Sequence, residues 1–311
     1  MSFSSPWWLP GGHLQTIVPS LFRPPRVRLR RERWDTPDGD FIDVDFGGDP
    51  QAHEQLVLFH GLEGCSDSHY ARAVAAHSAR CGWKIAIPHF RGCSGEPNRA
   101  ARAYHSGDSA EVDWILAKFP RPVRAVGVSL GGNALLKWLG EQGDAARQRV
   151  HRAAAVSAPL DLAAAGDALD RGINRLLYTR HFLATLRPKS LAKLDLFPGL
   201  YDAEKIREAR TFREFDNLVT APLHGFRDTD DYWSRASSSL YLEGIRVPTL
   251  LLNARNDPFL PEHALLAAAR KAPHCVVLEF PRTGGHAGFL AGPFSGRHSW
   301  LPQRLFEFLT T

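Results

Sequence analysis

Apolar and polar positions change rhythm three times along the 311-residue chain. Val27–Trp34 and Asp40–Phe46 read as strands flanking the turn Thr36-Pro37-Asp38-Gly39, and the stretch Arg26–Trp34 partly alternates between polar and apolar residues. This predicts a hairpin with one solvated face. From Leu56 onward, short apolar runs alternate with helical patterns. Leu56–Phe59, Lys84–Ile87, Val123–Val128 and Arg152–Ser157 read as strands, and Tyr70–Cys81 and Asp108–Phe119 as helices. Continuous apolar strands separated by helices predict a parallel sheet covered on both faces. From residue 160 to residue 242 the strand rhythm stops; the segment is charged, mostly helical in pattern, and broken by Pro188, Pro198 and Pro222. Strands return at Val247–Asn253 and Cys275–Phe280, with helices at Pro261–Lys271 and Leu301–Leu309. The expected organisation is an α/β core of residues 1–159 and 243–311, interrupted by a helical insertion over 160–242. An insertion at that point can cap the strand ends where open α/β sheets bind ligands. Residues 1–25 carry five prolines with Gly11 and Gly12, and are expected to be irregular and to lie over the surface.

Composition narrows the function without identifying it. A hydrophobic content of 44% is ordinary for a soluble globular protein and ample for a core. No stretch approaches the ~18 consecutive apolar residues of a membrane span, and the N-terminus lacks the features of a signal peptide. Cys65, Cys81, Cys93 and Cys275 show no C-x-x-C spacing. No metal site or disulfide framework is expected, and a reducing, cytoplasmic setting fits. The net charge is +5, and of 38 basic residues only seven are lysine. The basic run Arg23–Arg33 reads as a solvated edge strand, so no nucleic-acid partner is expected. The charge leaves room only for weak contact with an anionic membrane surface.

The candidate chemistry lies at strand ends. Gly127-Val128-Ser129-Leu130-Gly131 follows a predicted strand and precedes a predicted helix, the context of a nucleophile elbow. A serine hydroxyl is a poor nucleophile at neutral pH and needs a base, which needs an orienting acid. In the order that this architecture requires, Asp257 follows the strand ending at Asn253, and His286 follows the strand ending at Phe280. Asp228, Asp230 and Asp231 are rival acids inside the insertion; His60, His89, His105 and His224 are rival bases outside the expected order. An oxyanion needs two donors, for which the backbone N–H groups of Leu130 and Leu62 are the candidates. Leu62 lies in His60-Gly61-Leu62-Glu63-Gly64, where the glycines let the loop approach the serine. Arg91-Gly92-Cys93-Ser94-Gly95 lacks phosphate-loop spacing and reads as a structural turn. Leu176, Leu177, Phe182, Leu183, Leu186 and Phe197 are expected to supply an apolar acyl pocket from the insertion.

Taken in order, His60–Gly64, Arg91–Gly95, Gly127–Gly131, Asn253–Pro258 and Gly285-His286 resemble the α/β-hydrolase superfamily. With Gly12-His13-Leu14-Gln15-Thr16 and Arg213–Phe226, the chain resembles more narrowly the YheT-like branch, also called AB-hydrolase 4. The resemblance covers nearly the whole chain. It implies an α/β-hydrolase fold with a mostly parallel eight-stranded sheet, flanking helices and a helical cap. It also implies carboxylic-ester hydrolysis by Ser129, His286 and Asp257 through an acyl-enzyme, on a small-molecule acyl ester, with no cofactor. A preference for short to medium acyl chains is expected. Members of the branch include short- and medium-chain esterases, enzymes that make or cleave ethyl esters, and membrane phospholipases. The competing expectations are an alcohol acyltransferase using the same acyl-enzyme, and a non-catalytic homologue that binds lipids or esters.

Overall fold

In the computed structural model, which describes residues 3–311, the first two expected strands form the antiparallel hairpin β1 (Arg30–Asp35) and β2 (Phe41–Gly48). β1 lies at the sheet edge. Its basic side chains are met by its neighbour: Arg31 and Arg33 pair with Asp45 and Asp43 at 2.7 and 2.8 Å. The apolar runs give β3 (Gln55–Phe59), β4 (Lys84–Pro88), β5 (Val123–Val128), β6 (Val150–Val156), β7 (Thr249–Leu252) and β8 (Val276–Glu279). The sheet has eight strands in the order β1-β2-β4-β3-β5-β6-β7-β8, and every pairing from β4 to β8 is parallel.

Period-two packing explains the continuous apolar runs. Along β3, Leu56 and Leu58 join the core on one face, while Val57 and Phe59 join the core on the other. All four side chains are buried, so the strand shows no polar alternation. The first face is covered by α2 (His69–Arg80) and the C-terminal helix Trp300–Thr310, the second by α3 (Ser109–Ala117) and α4 (Leu130–Gln142). Asp108 caps α3 by accepting the Glu111 N–H, which sets its start one residue inside the expected boundary.

Between β6 and β7 the described residues form helices and turns only, among them α5 (Leu162–Leu169) and the helices Arg180–Leu196 and Thr229–Ala236. Asp161 and Asp228 cap the first and last of these three helices. Two π-helical turns, Arg175–Thr179 and Asp216–Thr220, interrupt the segment.

The expectation of an irregular N-terminal segment over 1–25 is corrected, with Met1 and Ser2 lying outside the described residues. Gly11–Leu21 is a helix, α1. Pro10 occupies its N-cap position, where no N–H is needed, and Pro19 sits late in the helix, where it merely leaves the Gln15 carbonyl without its usual donor. Nor does the segment simply cover the surface, because Gln15 and Pro19 are buried. No helix among the described residues is long and apolar enough to cross a membrane.

Candidate active site

Sheet register brings the chemistry together. Phe59 pairs with Gly127, Val128 with Val156, and Leu252 with both Val156 and Glu279. The C-terminal ends of five parallel strands therefore lie side by side, and each candidate residue follows one of them. Ser129 comes directly after β5 with φ 54° and ψ −121°, the strained turn expected of an elbow. The turn presses hard on β3: a Cβ at Gly131 would lie 2.5 Å from both the Phe59 and His60 carbonyl oxygens.

His286 follows β8 on a loop held at several points. Its N–H donates to Thr16 Oγ1 at 2.9 Å, and the next N–H, of Ala287, donates to Ser157 Oγ at 2.9 Å. The imidazole stacks on Phe259, with centroids 4.1 Å apart. Its Nε2 lies 2.8 Å from Ser129 Oγ and its Nδ1 2.8 Å from Asp257 Oδ2. Asp257 itself is buried, and its other oxygen accepts the Phe259 N–H at 2.8 Å. A carboxylate acceptor at Nδ1 fixes the tautomer that carries the proton there, leaving Nε2 free to take the serine proton.

The loop after β3 is organised around one peptide. The His60 imidazole is buried, and burial pushes its pKa down to about 3, so the ring is neutral. Nε2 accepts the Phe90 N–H at 3.0 Å, so Nδ1 carries the hydrogen and donates to the Gly61 carbonyl at 2.8 Å. The Gly64 N–H donates to the same carbonyl at 2.9 Å. In a trans peptide the N–H points opposite to the C=O, so these two bonds aim the Leu62 N–H. The neighbouring amides are occupied: Gly61 N–H donates to Tyr70 Oη at 2.9 Å, and Glu63 N–H to Tyr104 Oη at 2.8 Å. Burial pushes the Tyr70 phenol up to about 12, so it stays protonated. Among the described residues neither the Leu62 N–H nor the Leu130 N–H has an acceptor. The loop also touches the nucleophile, since a Cβ at Gly61 would lie 3.1 Å from Ser129 Cβ. Glu63 binds Lys189 of the helix Arg180–Leu196 at 2.7 Å, tying this loop to the helical segment.

These groups face one cavity of about 600 Å³, whose wall includes Leu62, Ser129, Leu130 and His286. Across from them the helical segment contributes Phe182, Leu186, Phe212, Phe215 and Val219. The segment also lines the cavity with polar residues, among them Lys189, Lys193, Thr220 and Asp216; burial pushes the Asp216 carboxyl up to about 6. Of the pocket residues expected from the insertion, Phe182 and Leu186 line the cavity. Leu176 and Leu177 are exposed, and Leu183 packs with Ile206, Phe215 and Val219 instead. Phe197 follows the helix Arg180–Leu196 as its C-cap and is not part of the wall. The π-turn Arg175–Thr179 turns Tyr178 and Thr179 inward, an irregularity that regular helical spacing does not anticipate.

The rival acids and bases have other partners, although His105 and His224 also line the cavity. Asp228 caps a helix, Asp230 pairs with Arg213 at 2.6 Å, and Asp231 pairs with Arg235 at 3.1 Å. His89 is bound to Asp45 at 2.8 Å, and His105 packs against the tilted ring of His224 with centroids 4.6 Å apart. Arg91 is buried in ion pairs with Asp38, Asp40 and Glu111, as a structural turn requires. Sequence reasoning missed the anchoring roles of His60, Tyr70, Tyr104 and Thr16. The Gly12–Thr16 motif carried a signal for Thr16 and the His60–Gly64 motif one for His60; Tyr70 and Tyr104 lie in neither.

Residues 55–293 match the family model described as alpha/beta hydrolase fold. The chain is 38% identical over 311 residues to "Putative esterase YheT" of Escherichia coli (strain K12), covering 96% of this chain and 90% of that one. It is 28% identical over 309 residues to Phospholipase ABHD3 of Mus musculus, covering 95% of this chain and 75% of the other. Among solved structures, the esterase EaEST from Exiguobacterium antarcticum superposes with a TM-score of 0.60 at 15% identity, over 91% of this chain and all of that one. The chain belongs to the α/β-hydrolase family, in its YheT-like branch.

Proposed function

We propose that this chain is a serine carboxylesterase in which Ser129, His286 and Asp257 form the catalytic triad. The observation that carries the reading is the continuous relay of two 2.8 Å contacts, Ser129 Oγ to His286 Nε2 and His286 Nδ1 to Asp257 Oδ2, at the wall of an apolar cavity. Ser129 Oγ attacks the acyl carbonyl while its proton passes to His286 Nε2. Asp257 orients the imidazole and stabilises its cationic form. The N–H groups of Leu62 and Leu130 take the oxyanion; a single such donor is worth ~3 kcal/mol in the transition state. The tetrahedral intermediate collapses, the C–O bond to the alcohol breaks, and His286 gives its proton to the departing alkoxide. Water then attacks the acyl-enzyme, its proton passing to His286 and on to Ser129 as the carboxylic acid leaves. No cofactor enters the scheme.

In this reading residues 1–159 and 243–311 form the hydrolase core, and 160–242 form a cap whose apolar side chains receive the acyl chain. The names of the relatives, esterase and phospholipase, support ester hydrolysis in general. The acyl chain the cap receives is proposed to be short to medium in length. Rates on p-nitrophenyl esters from acetate to palmitate test this: kcat/KM is expected to peak at short to medium length and fall by at least tenfold at palmitate. Equal or greater rates on palmitate would exclude that pocket assignment. Adding ethanol to the same assay and measuring ethyl ester against free acid separates hydrolysis from acyl transfer; free acid is expected to dominate.

A further inference from the structure

The motif Gly12-His13-Leu14-Gln15-Thr16 has no part in the relay itself, yet α1 carries it against both catalytic loops. Gln15 is buried, with 3% of its surface exposed. Its Oε1 accepts two bonds, from Asn256 Nδ2 at 2.9 Å and from the Gly284 N–H at 2.8 Å. Its Nε2 donates to the Leu9 carbonyl at 2.8 Å. A backbone N–H can only donate and a backbone C=O can only accept, so the orientation of this amide is unambiguous. Asn256 precedes the triad acid in the chain, and Gly284 lies two residues before the triad histidine. Asn256 Oδ1 also accepts the Gly285 N–H at 3.1 Å, so the two loops are bonded to each other as well as to Gln15. The contact with α1 leaves no room for side chains. A Cβ at Gly12 would lie 2.0 Å from the Asn256 carbonyl oxygen, and one at Gly288 would lie 1.9 Å from the Gln15 carbonyl oxygen that Pro19 leaves free.

We infer that Gln15 is a positioning residue for the triad, its amide oxygen clamping the Asp257 loop to the His286 loop. The inference rests on the catalytic reading above. Asp257 and His286 stand on separate loops beyond the sheet, where strand pairing no longer holds them. A displacement of about 1 Å in such a constellation costs up to roughly a hundredfold in rate. Gln15 therefore acts on turnover through the geometry of other residues, without touching substrate.

The test compares Gln15→Met and Gln15→Glu in the full chain, with p-nitrophenyl butyrate as substrate and active sites counted by exhaustive fluorophosphonate labelling. Methionine keeps the shape and removes both acceptor bonds. Glutamate keeps the acceptors, loses the bond to Leu9 and buries a charge. The Met variant is expected to lose kcat by roughly ten- to a hundredfold with KM within about twofold. The Glu variant is expected to keep kcat within about fivefold of wild type while melting at a lower temperature than the Met variant. A purely structural role would make activity per site follow stability, and that ordering, or a folded Met variant with wild-type kcat, overturns the inference. Asn256→Ala breaks the same clamp from the other side and is expected to lose kcat alike; wild-type kcat in that variant overturns it even where Gln15→Met does not fold. Wild-type protein that neither labels nor hydrolyses esters would instead remove the catalytic reading itself.

Discussion

Ser129→Ala is expected to lower kcat on p-nitrophenyl butyrate by four to six orders of magnitude, on the order of what removing a triad nucleophile costs. The hydroxyl is the only group at this position that can form the acyl bond, and His286 Nε2 has no other proton to take at 2.8 Å. His286→Ala is expected to cost about as much, because the unactivated hydroxyl then attacks with no base in reach. The double variant is expected to be no slower than either single one. The two residues act as a unit, and once one is gone the other contributes nothing. KM is expected to change little, since the cavity wall is unaltered, and the melting temperature of Ser129→Ala to stay within a few degrees of wild type. Steady-state kinetics on the three variants checks this. A loss below about tenfold, or additive losses, would show that the relay does not carry the reaction.

Gly131→Val is expected not to fold. Its Cβ would fall 2.5 Å from the carbonyl oxygens of Phe59 and His60, contacts with backbone rather than with a movable side chain. β3 cannot retreat, because Leu56 to Phe59 are paired to β5 on one side and Gln55 to Val57 to β4 on the other. The His60 carbonyl belongs to a loop fixed by the bond from Phe90 N–H to its imidazole. The clash must therefore be relieved by separating α4 from the sheet, which opens the core around Leu135 and Trp138. That mechanism belongs to the class costing more than ~4 kcal/mol, a large part of a typical domain's stability. Gly82→Ala provides the contrast: φ is +68° and nothing lies within 4 Å, so only backbone strain of about 1 kcal/mol is expected. Soluble yield and thermal unfolding of the two variants check the pair. A Gly131→Val protein with wild-type melting temperature would contradict the account of the elbow.

The parts of this fold that were legible in the sequence are those dictated by local physics. Val123–Val128 reads as a strand because a centrally placed parallel strand must be apolar on both faces, and β5 has those bounds. Ser129, Asp257 and His286 were legible because each follows such a strand in a fixed order, so register alone makes them neighbours. What was not legible depends on contacts distant in sequence. The prolines of α1 look like breakers until their positions at the N-cap and late in the helix are known. His60 looks like a spare base until Phe90 and Gly61 are seen to occupy both of its nitrogens. Tyr70 and Tyr104 look like core aromatics, and only their hydroxyls, which take the Gly61 and Glu63 amides, connect them to the loop after β3. Leu176 and Leu177 look like pocket residues until the π-turn Arg175–Thr179 is seen to bury Tyr178 and Thr179 and leave both leucines exposed.

Activation of Ser129 in the proposed mechanism draws on two distant side chains, His286, 157 positions further along the chain, and Asp257, 29 positions before that histidine. Intact-mass and peptide mapping after treatment with a fluorophosphonate measures that activation directly. The account predicts one covalent adduct per chain, on Ser129, formed rapidly in wild type and lost in His286→Ala. An adduct on a different residue, or ester hydrolysis that persists at full rate once Ser129 is fully modified, would contradict it.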